Sequence, residues 1–247
     1  MLKCVNIWLL LRDPLLCWVN DNNYSGGSIV LGAIIGDIAG SRFEGNNHKG
    51  KDFELMTHIH GGRVTDDSIM SLAIAKAILE CHGNYATLSE NAVICMRELG
   101  REYPFAGYGG MFRKWLESEN PSLGRLYHTQ KTHDSQNSLY YRDYAIALAK
   151  TVTEVTHNHP EGIRGAEATV AAIYLARYGC SLVEIQDYIN KHYYKINFKL
   201  NDIRESYCFN ESCQETVPQA LEAFFESTNF EDAIRNAVSL GGDCDTL

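Results

Sequence analysis

The chain has 247 residues, of which 45% are hydrophobic and 21% are charged. This composition is typical of a folded globular protein and excludes a wholly disordered chain, and the length suffices for one large domain with a substantial core. The 31 acidic and 22 basic residues give a net charge of -9. An acidic surface argues against general binding to nucleic acid or to an anionic membrane, since both require basic patches.

The cysteines and the amino-terminal residues narrow the class further. The eight cysteines include no Cys-x-x-Cys pair, which excludes zinc-ribbon and thioredoxin-like sites and favours reduced thiols in a cytoplasmic protein. No apolar run reaches the roughly 18 to 20 residues of a membrane span. The mostly apolar residues 4–11 and 15–19 are separated by charged residues and a proline, unlike a signal peptide. We therefore predict an extension over residues 1–28 and a single domain over residues 29–247.

Helix-period patterns dominate that domain, and period-2 strand patterns with turn signals are absent. The predicted helices cover, in chain order, residues 67–81, 88–99, 141–155, 163–178, 181–193, 217–225 and 230–240. The buried face of the first is predicted from five residues: Ile69, Leu72, Ala73, Ala77 and Leu79. Ser181 and Glu184 form a capping-box pattern, which predicts where the fifth helix begins. The patterns together predict an all-α fold.

A glycine-rich helical segment, GAIIGDIAGSRFE, precedes these helices. Gly32, Gly36 and Gly40 recur every four residues and share one face. Because glycine costs about 0.5–1 kcal/mol in a helix relative to alanine, we interpret this face as a site of close approach, by another helix or by a ligand. The spacing fits neither a phosphate-binding loop nor a dinucleotide fingerprint. Asp37 is interpreted as a structural hydrogen-bonding residue, and Glu44 follows the expected helix end, where it can face a cleft.

Two short segments carry clustered oxygen ligands. VTDDS begins a predicted helix, so that its threonine can cap the helix and its two aspartates lie in the first turn, where the helix dipole stabilises negative charge. LGGDCDTL follows the last predicted helix. The oxygen-bearing residues are Thr65, Asp66, Asp67, Asp243, Asp245 and Thr246. Each segment alone has ordinary structural explanations, but together they offer the hard oxygen donors that suit a pair of Mg²⁺ or Ca²⁺ ions.

These segments, in this order, resemble the ADP-ribosylglycohydrolase family, whose enzymes remove ADP-ribose from arginine or serine and include the dinitrogenase reductase-activating glycohydrolase. The segments GYGGM, THNHPEG and SCQETVPQALEAF are also similar, most of all to bacterial members. The resemblance covers residues 31–247. It implies one orthogonal multi-helix bundle and Mg²⁺-dependent hydrolysis of the glycosidic bond that links ADP-ribose to a protein side chain or a small conjugate.

The resemblance also implies roles for particular residues. Two Mg²⁺ ions are expected to be held by Thr65, Asp66, Asp67, Asp243, Asp245 and Thr246. Glu44 is expected to lie beside the metals and the scissile ribose as the catalytic carboxylate. The expected substrate-binding residues are Gly107, Tyr108, Gly109 and His157. The implied partner is an ADP-ribosylated protein or a small ADP-ribose conjugate, with no nucleic acid, no membrane and no prediction of oligomeric state.

Two features depart from the family pattern. The family has a glycine-rich GNGSAMR-like loop around the substrate phosphates, whereas this chain has PSLGRLYHTQKTHDSQNSLYYRDY, which offers fewer such backbone donors. Family members also continue into further helices beyond the position of Leu247, so we expect a domain truncated at its C-terminus, with weak metal binding at Asp243, Asp245 and Thr246. A second hypothesis therefore remains open, that of a catalytically impaired ADP-ribose-binding or structural relative.

Other candidate chemistry is less favoured by the sequence. An unrelated metal-dependent phosphohydrolase lacks support because no His-Asp metal signature is present. His58, His60, His128 and His133 are interpreted as surface or loop residues. The thiol of Cys244 stands between two aspartates, and we expect it to be a poor nucleophile because negative neighbours disfavour the thiolate.

Overall fold

The computed structural model describes residues 27–56, 61–119 and 138–247, and ten α-helices but no strands occur in these ranges. The predicted all-α class is confirmed. The helices are α1 Gly27–Ser41, α2 Asp66–Glu80, α3 Leu88–Glu102, α4 Gly110–Glu117, α5 Ser138–Thr153, α6 Pro160–Arg177, α7 Leu182–His192, α8 Leu200–Ile203, α9 Cys213–Phe225 and α10 Phe230–Val238. The predictions for residues 1–26, His58, His60, His128 and His133 lie outside the described residues.

The predicted helices correspond to α2, α3, α5, α6, α7, α9 and α10, and the glycine-rich segment forms most of α1. The sequence patterns missed α4 and α8, which have eight and four residues. Helices this short present too few turns for a period of 3.6 residues to stand out. The capping box at Ser181 is present. The Glu184 N–H donates to the Ser181 hydroxyl, and the Ser181 N–H donates to the Glu184 carboxylate.

The largest part of the core lies between α2 and α3 and between α5 and α6, with α4 packed at one side. The prediction of the buried face of α2 is wrong at two positions, because Leu72 and Leu79 are 41% and 51% exposed. Both leucines share a stripe with Lys76, since residues three and four apart face the same way on a helix. The residues of α2 that fill the core are Ile69, Met70, Ala73, Ile74, Ala77 and Ile78.

A second core region joins α6, α7 and α9 and contains a buried carboxylate. Glu222 of α9 has no solvent exposure. Its two oxygens accept hydrogen bonds from Lys199 Nζ at 2.7 Å and from Gln186 Nε2 at 3.3 Å. Burial raises the pKa of Glu222. This carboxylate therefore ties α7 and the start of α8 to α9, since a buried polar group is tolerated only when it is hydrogen-bonded.

The two ends of the domain meet in a third region. Ala39 of α1 packs with Ile234 and Val238 of α10 and with Cys244 of the segment that follows α10. This contact brings the end of α1 beside residues 243–246, which are distant in sequence. In the described part of the chain, none of the helices has the length and hydropathy that crossing a membrane requires.

Candidate metal centre

The junction of α1 and α2 is organised by one buried carboxylate. Asp37 of α1 is 2% exposed. Its Oδ2 accepts hydrogen bonds from the backbone N–H groups of Thr65 and Ser68, at 2.9 and 3.3 Å, and from the Ser68 hydroxyl. Its Oδ1 accepts a hydrogen bond from the Thr65 hydroxyl at 2.7 Å. These four bonds fix the start of α2 against α1 and confirm that Asp37 is a structural hydrogen-bonding residue.

Thr65 is the N-cap of α2, as its sequence predicts. Its hydroxyl accepts a hydrogen bond from the Asp67 N–H at 3.3 Å. Asp66 and Asp67 therefore lie in the first turn, where backbone N–H groups have no acceptor within the helix and, with the helix dipole, favour carboxylates. Asp66 is held from a second direction, because its N–H donates to the Ala106 carbonyl at 2.9 Å.

The segment after α10 lies directly on the backbone of α1 at Gly40. A Cβ atom at Gly40 would stand 2.2 Å from the Cys244 carbonyl oxygen, which leaves no room for any other residue. The predicted close approach is therefore real at Gly40, and the neighbour is the segment after α10. Among the described residues the close approach does not extend along the whole face, because a Cβ at Gly36 would meet none of them within 4 Å and Gly32 makes only an ordinary contact with the Phe230 ring.

The same segment is held by a lysine and by tight turns. Lys49 Nζ donates hydrogen bonds to the carbonyls of Tyr207 and Leu240, at 2.6 and 2.7 Å. Gly241 has a φ of +72°, and a Cβ there would stand 2.5 Å from Asn47 Oδ1, so glycine is required on two grounds. These contacts anchor the start of the segment.

The aspartates of this segment are buried. Asp243 is 0% and Asp245 8% exposed. The Thr246 hydroxyl donates to Asp67 Oδ2 at 3.3 Å, which joins the segment to the first turn of α2. This hydrogen bond and the packing of Cys244 against α1 connect residues 243–246 with both helices.

Five carboxylates form two groups around this junction. Asp37, Asp67 and Asp245 each contribute an oxygen to the first group, and Glu44, Asp243 and Asp245 to the second; within each group these oxygens lie within 4.8 Å of one another. Asp245 belongs to both groups. Carboxylate oxygens at this spacing suit hard divalent cations such as Mg²⁺, so the donor set fits the predicted ion.

The structure thus brings together four of the carboxylates singled out by the sequence, and adds Asp37. Among the predicted metal ligands, Asp66 belongs to neither group. Gly107 has a φ of +110°, and a Cβ there would stand 3.2 Å from Asp66 Oδ1, so the loop before α4 lies against this carboxylate. Asp66 therefore connects the candidate metal centre with the predicted substrate loop.

The other two predicted residues of that loop, Tyr108 and Gly109, have different surroundings. Tyr108 is 4% exposed and its ring packs on Phe112 at a centroid distance of 5.5 Å, so most of the side chain belongs to the core. Burial, and secondly the charge of Asp66, raise the pKa of the Tyr108 hydroxyl. Gly109 is the N-cap residue of α4. The backbone of Gly107 and Gly109, rather than the Tyr108 ring, is therefore the part of this loop best suited to meet a ligand.

His157 lies in the turn between α5 and α6. Its Nδ1 is 3.0 Å from the Thr156 hydroxyl, and a Cβ at Gly162 would be 3.3 Å from its carbonyl. Burial lowers the pKa of His157 to about 4, so the imidazole is neutral at neutral pH. His157 belongs to neither carboxylate group.

Cys244 lies inside the candidate centre but is not suited to nucleophilic chemistry. Its thiol is buried beside the Val238 and Gly242 carbonyls. Burial, followed by the charges of Asp245 and Asp243, raises the pKa of Cys244 to about 12. The thiol therefore stays protonated, in agreement with the prediction of a poor nucleophile.

Sequence reasoning missed two residues that shape the centre. Asp37 was recognised as a structural residue but not as a neighbour of Asp67 and Asp245; the available signal was a charged residue inside an otherwise apolar helix. Lys49 carried no comparable signal, because a lysine in a polar loop is ordinary and its carbonyl partners are distant in the sequence.

Comparisons with known proteins agree with this architecture. A family model described as ADP-ribosylglycohydrolase matches residues 27–247. A solved structure described as an ADP-ribosylglycohydrolase-related protein complex superimposes with a TM-score of 0.61 and 22% sequence identity, over 88% of this chain and 81% of that chain. At this identity the structural likeness supports the fold alone. A search of curated proteins found no match.

Proposed function

Because the chain belongs to the ADP-ribosylglycohydrolase family, we propose that it hydrolyses the glycosidic bond that links ADP-ribose to a protein side chain or to a small ADP-ribose conjugate. The supporting observation is the meeting of α1, the first turn of α2 and the segment after α10 around two carboxylate groups that share Asp245. Such convergence of distant segments on one point is typical of a functional centre rather than of an acidic surface.

Two Mg²⁺ ions are the cofactors that this donor set suits. Asp67 and Asp245, with the Thr65 hydroxyl, would hold one ion, and Asp243 and Asp245 would hold the other, with Glu44 beside it. In the proposal, Asp66 and Thr246 complete the ligand set from the two edges. Bound divalent cations supply a means to hold ribose hydroxyls and to lower the pKa of a water molecule.

Glu44 is the residue to which we assign proton transfer. Hydrolysis of a glycosidic bond passes through an oxocarbenium-like state and requires an oriented water and a group that moves a proton. Glu44 lies in the turn after α1, is only half-buried, and has an oxygen within 4.8 Å of oxygens of Asp243 and Asp245. A carboxylate that is accessible from solvent and close to the centre can accept a proton from the attacking water.

The substrate would be held beside this centre. The backbone of Gly107 lies next to Asp66, and the absence of side chains at Gly107 and Gly109 lets a ligand come close. A neutral His157 can donate one hydrogen bond and accept another, which suits ribose or adenine groups. We also propose a cytoplasmic location, on the basis of the cysteine usage.

One sequence observation supports a second candidate function. No GNGSAMR-like segment occurs between Gly109 and His157. A protein that retains the metal centre but holds the diphosphate with fewer backbone donors would bind ADP-ribose weakly and turn over slowly or not at all. The alternative is therefore a catalytically impaired relative that binds ADP-ribose.

Incubation with ADP-ribosyl-arginine and ADP-ribosyl-serine peptides, in Mg²⁺ and in EDTA, separates the two functions. We expect Mg²⁺-dependent release of ADP-ribose, lowered by at least about 100-fold in Asp67→Asn because a carboxylate ligand is lost. Glu98→Gln, which alters an exposed ion pair with Lys76, is the control and should release ADP-ribose at the unmodified rate. Binding of ADP-ribose without release from either peptide would favour the second candidate.

A further inference from the structure

We infer that Asp37 is a positioning residue that orients the Thr65 hydroxyl as a metal ligand, and that it is not itself a ligand, although one of its oxygens lies among those of Asp67 and Asp245. The inference rests on the proposed function, because it concerns the metal centre proposed there. It assigns a task to a buried carboxylate on α1 that neither the family match nor the sequence motifs explain.

The first step is the number of donors around Asp37. Its Oδ2 accepts from the backbone N–H groups of Thr65 and Ser68 and from the Ser68 hydroxyl, and its Oδ1 accepts from the Thr65 hydroxyl. A carboxylate offers about four lone-pair directions in total, two on each oxygen. Oδ2 is therefore saturated, and Thr65 takes one of the two lone-pair directions of Oδ1.

The second step concerns the local electrostatics. Two of the four donors are backbone N–H groups at the start of α2, where the helix carries its partial positive charge. Their dipoles face Asp37 and offset its negative charge. Asp37 consequently offers a cation less negative charge than a carboxylate without these four donors would, even though one of its oxygens belongs to the first group.

The third step concerns the proton of Thr65. A hydroxyl that binds a cation must direct a lone pair to the ion and its proton elsewhere. Asp37 Oδ1, at 2.7 Å, takes that proton, since a carboxylate oxygen only accepts. The lone pairs of Thr65 Oγ1 are then directed away from Asp37, and one of them already accepts the Asp67 N–H. Asp37 thus fixes the orientation in which the hydroxyl is a ligand.

The test measures binding of Mn²⁺, as a stand-in for Mg²⁺, to the full chain by electron paramagnetic resonance and calorimetry. Asp37→Asn places an NH₂ group where a carboxylate oxygen accepted hydrogen bonds from Thr65 or Ser68. This NH₂ group either faces another donor or, beside the Thr65 hydroxyl, turns the hydroxyl proton towards the ion. We expect the Kd for Mn²⁺ to rise at least tenfold. Glu222→Gln is the matched control, because it also changes a buried carboxylate to an amide, at a residue that bonds to Lys199 and Gln186 and belongs to neither carboxylate group. The Kd of this variant should stay within twofold of the unmodified protein.

A double-mutant cycle with Thr65→Val distinguishes positioning from direct ligation. If Asp37 acts through Thr65, Asp37→Asn in the Thr65→Val background should raise the Kd by no more than threefold. If Asp37 is a ligand, the tenfold loss persists in that background and the inference is overturned. An unchanged Kd in Asp37→Asn overturns it as well.

Ser68→Ala covers the case in which Asp37→Asn does not fold. Removal of the Ser68 hydroxyl leaves two donors instead of three on Asp37 Oδ2 and loosens the carboxylate. If Asp37 is a positioning residue, it then holds Thr65 less well and the Kd for Mn²⁺ rises two- to fivefold. If Asp37 is a ligand, it becomes more available to the ion, so an unchanged or lower Kd contradicts the inference. Absence of Mn²⁺ binding in the unmodified protein would refute the proposed metal centre and this inference together, whereas binding without hydrolysis would refute only the proposed activity.

Discussion

The two halves of the candidate metal centre are held by different forces. The half at the start of α2 is a helix N-terminus whose cap, Thr65, is fixed by hydrogen bonds to Asp37. The half after α10 is not helical, and it is held mainly by steric fit against Gly40 and by the hydrogen bonds of Lys49. The contrast shows that one centre can combine a half that is oriented by polar bonds with a half that is placed by packing.

Substitution of Gly40 should break the second half with the largest effect. In Gly40→Ala the new methyl group overlaps the Cys244 carbonyl, so the segment after α10 must move, and we expect a loss of about 3 kcal/mol or more of unfolding free energy. Chemical denaturation measures the loss, and calorimetry with Mn²⁺ should show weaker binding.

The matched control for this substitution is Gly36→Ala, one helical turn earlier in α1. A Cβ at Gly36 would meet none of the residues that the structure describes within 4 Å, so this variant should gain about 0.5–1 kcal/mol from the better helix propensity of alanine. Equal stability of the two variants would show that the segment after α10 does not rest on α1.

His157, which lies outside both halves of the centre, should make the stability of the protein depend on pH. Because the pKa of folded His157 is about 4 and that of an unfolded histidine about 6.5, the unfolded chain binds more protons between these values, and stability falls as the pH is lowered through this window. The unmodified protein should lose up to about 3 kcal/mol of unfolding free energy through His157 by pH 4, and His157→Asn should not show this loss.

Thermal unfolding of the metal-free protein at pH 4 to 7 measures this difference. The two proteins differ only at position 157, so the comparison between them isolates the histidine. Parallel curves for the two proteins would contradict the lowered pKa of His157. The Mn²⁺ affinity at pH 7 should be the same in both proteins.

The lysine that anchors the second half should have a smaller effect. Lys49→Met leaves the carbonyls of Leu240 and Tyr207 without their donor, and we expect a loss of about 1–2 kcal/mol. Lys51→Met removes an exposed ion pair with Asp232 and should cost less than about 1 kcal/mol. Urea denaturation measures the loss of unfolding free energy in both variants. A larger loss in Lys51→Met than in Lys49→Met would contradict the anchoring role of Lys49.

Local sequence information predicted the helical elements well where several turns repeat a pattern. Thr65 as the N-cap of α2 and the capping box at Ser181 follow from contacts within four residues, and both are present. Leu72 and Leu79 were placed in the core because hydrophobicity alone does not distinguish two apolar stripes on one helix. The neighbours that α2 meets decide which stripe is buried.

The candidate site was predicted as a set of residues but not as an arrangement. Motif order pointed to Asp67, Asp243 and Asp245, yet nothing local shows that Asp245 joins two groups or that Asp37 stands beside it. Gly40 and Lys49 act through backbone atoms about 200 residues away, and such contacts leave no trace in local composition.

The shared carboxylate gives the most direct test of the centre. We predict that calorimetric titration of the full chain with Mn²⁺ finds two ions per chain, and that Asp245→Asn weakens both sites at least tenfold, because Asp245 belongs to both groups. Asp232→Asn, on the surface of α10, should leave both sites unchanged. Binding of no ion by the unmodified chain, or binding that is indifferent to Asp245→Asn, would contradict a two-metal centre at this junction.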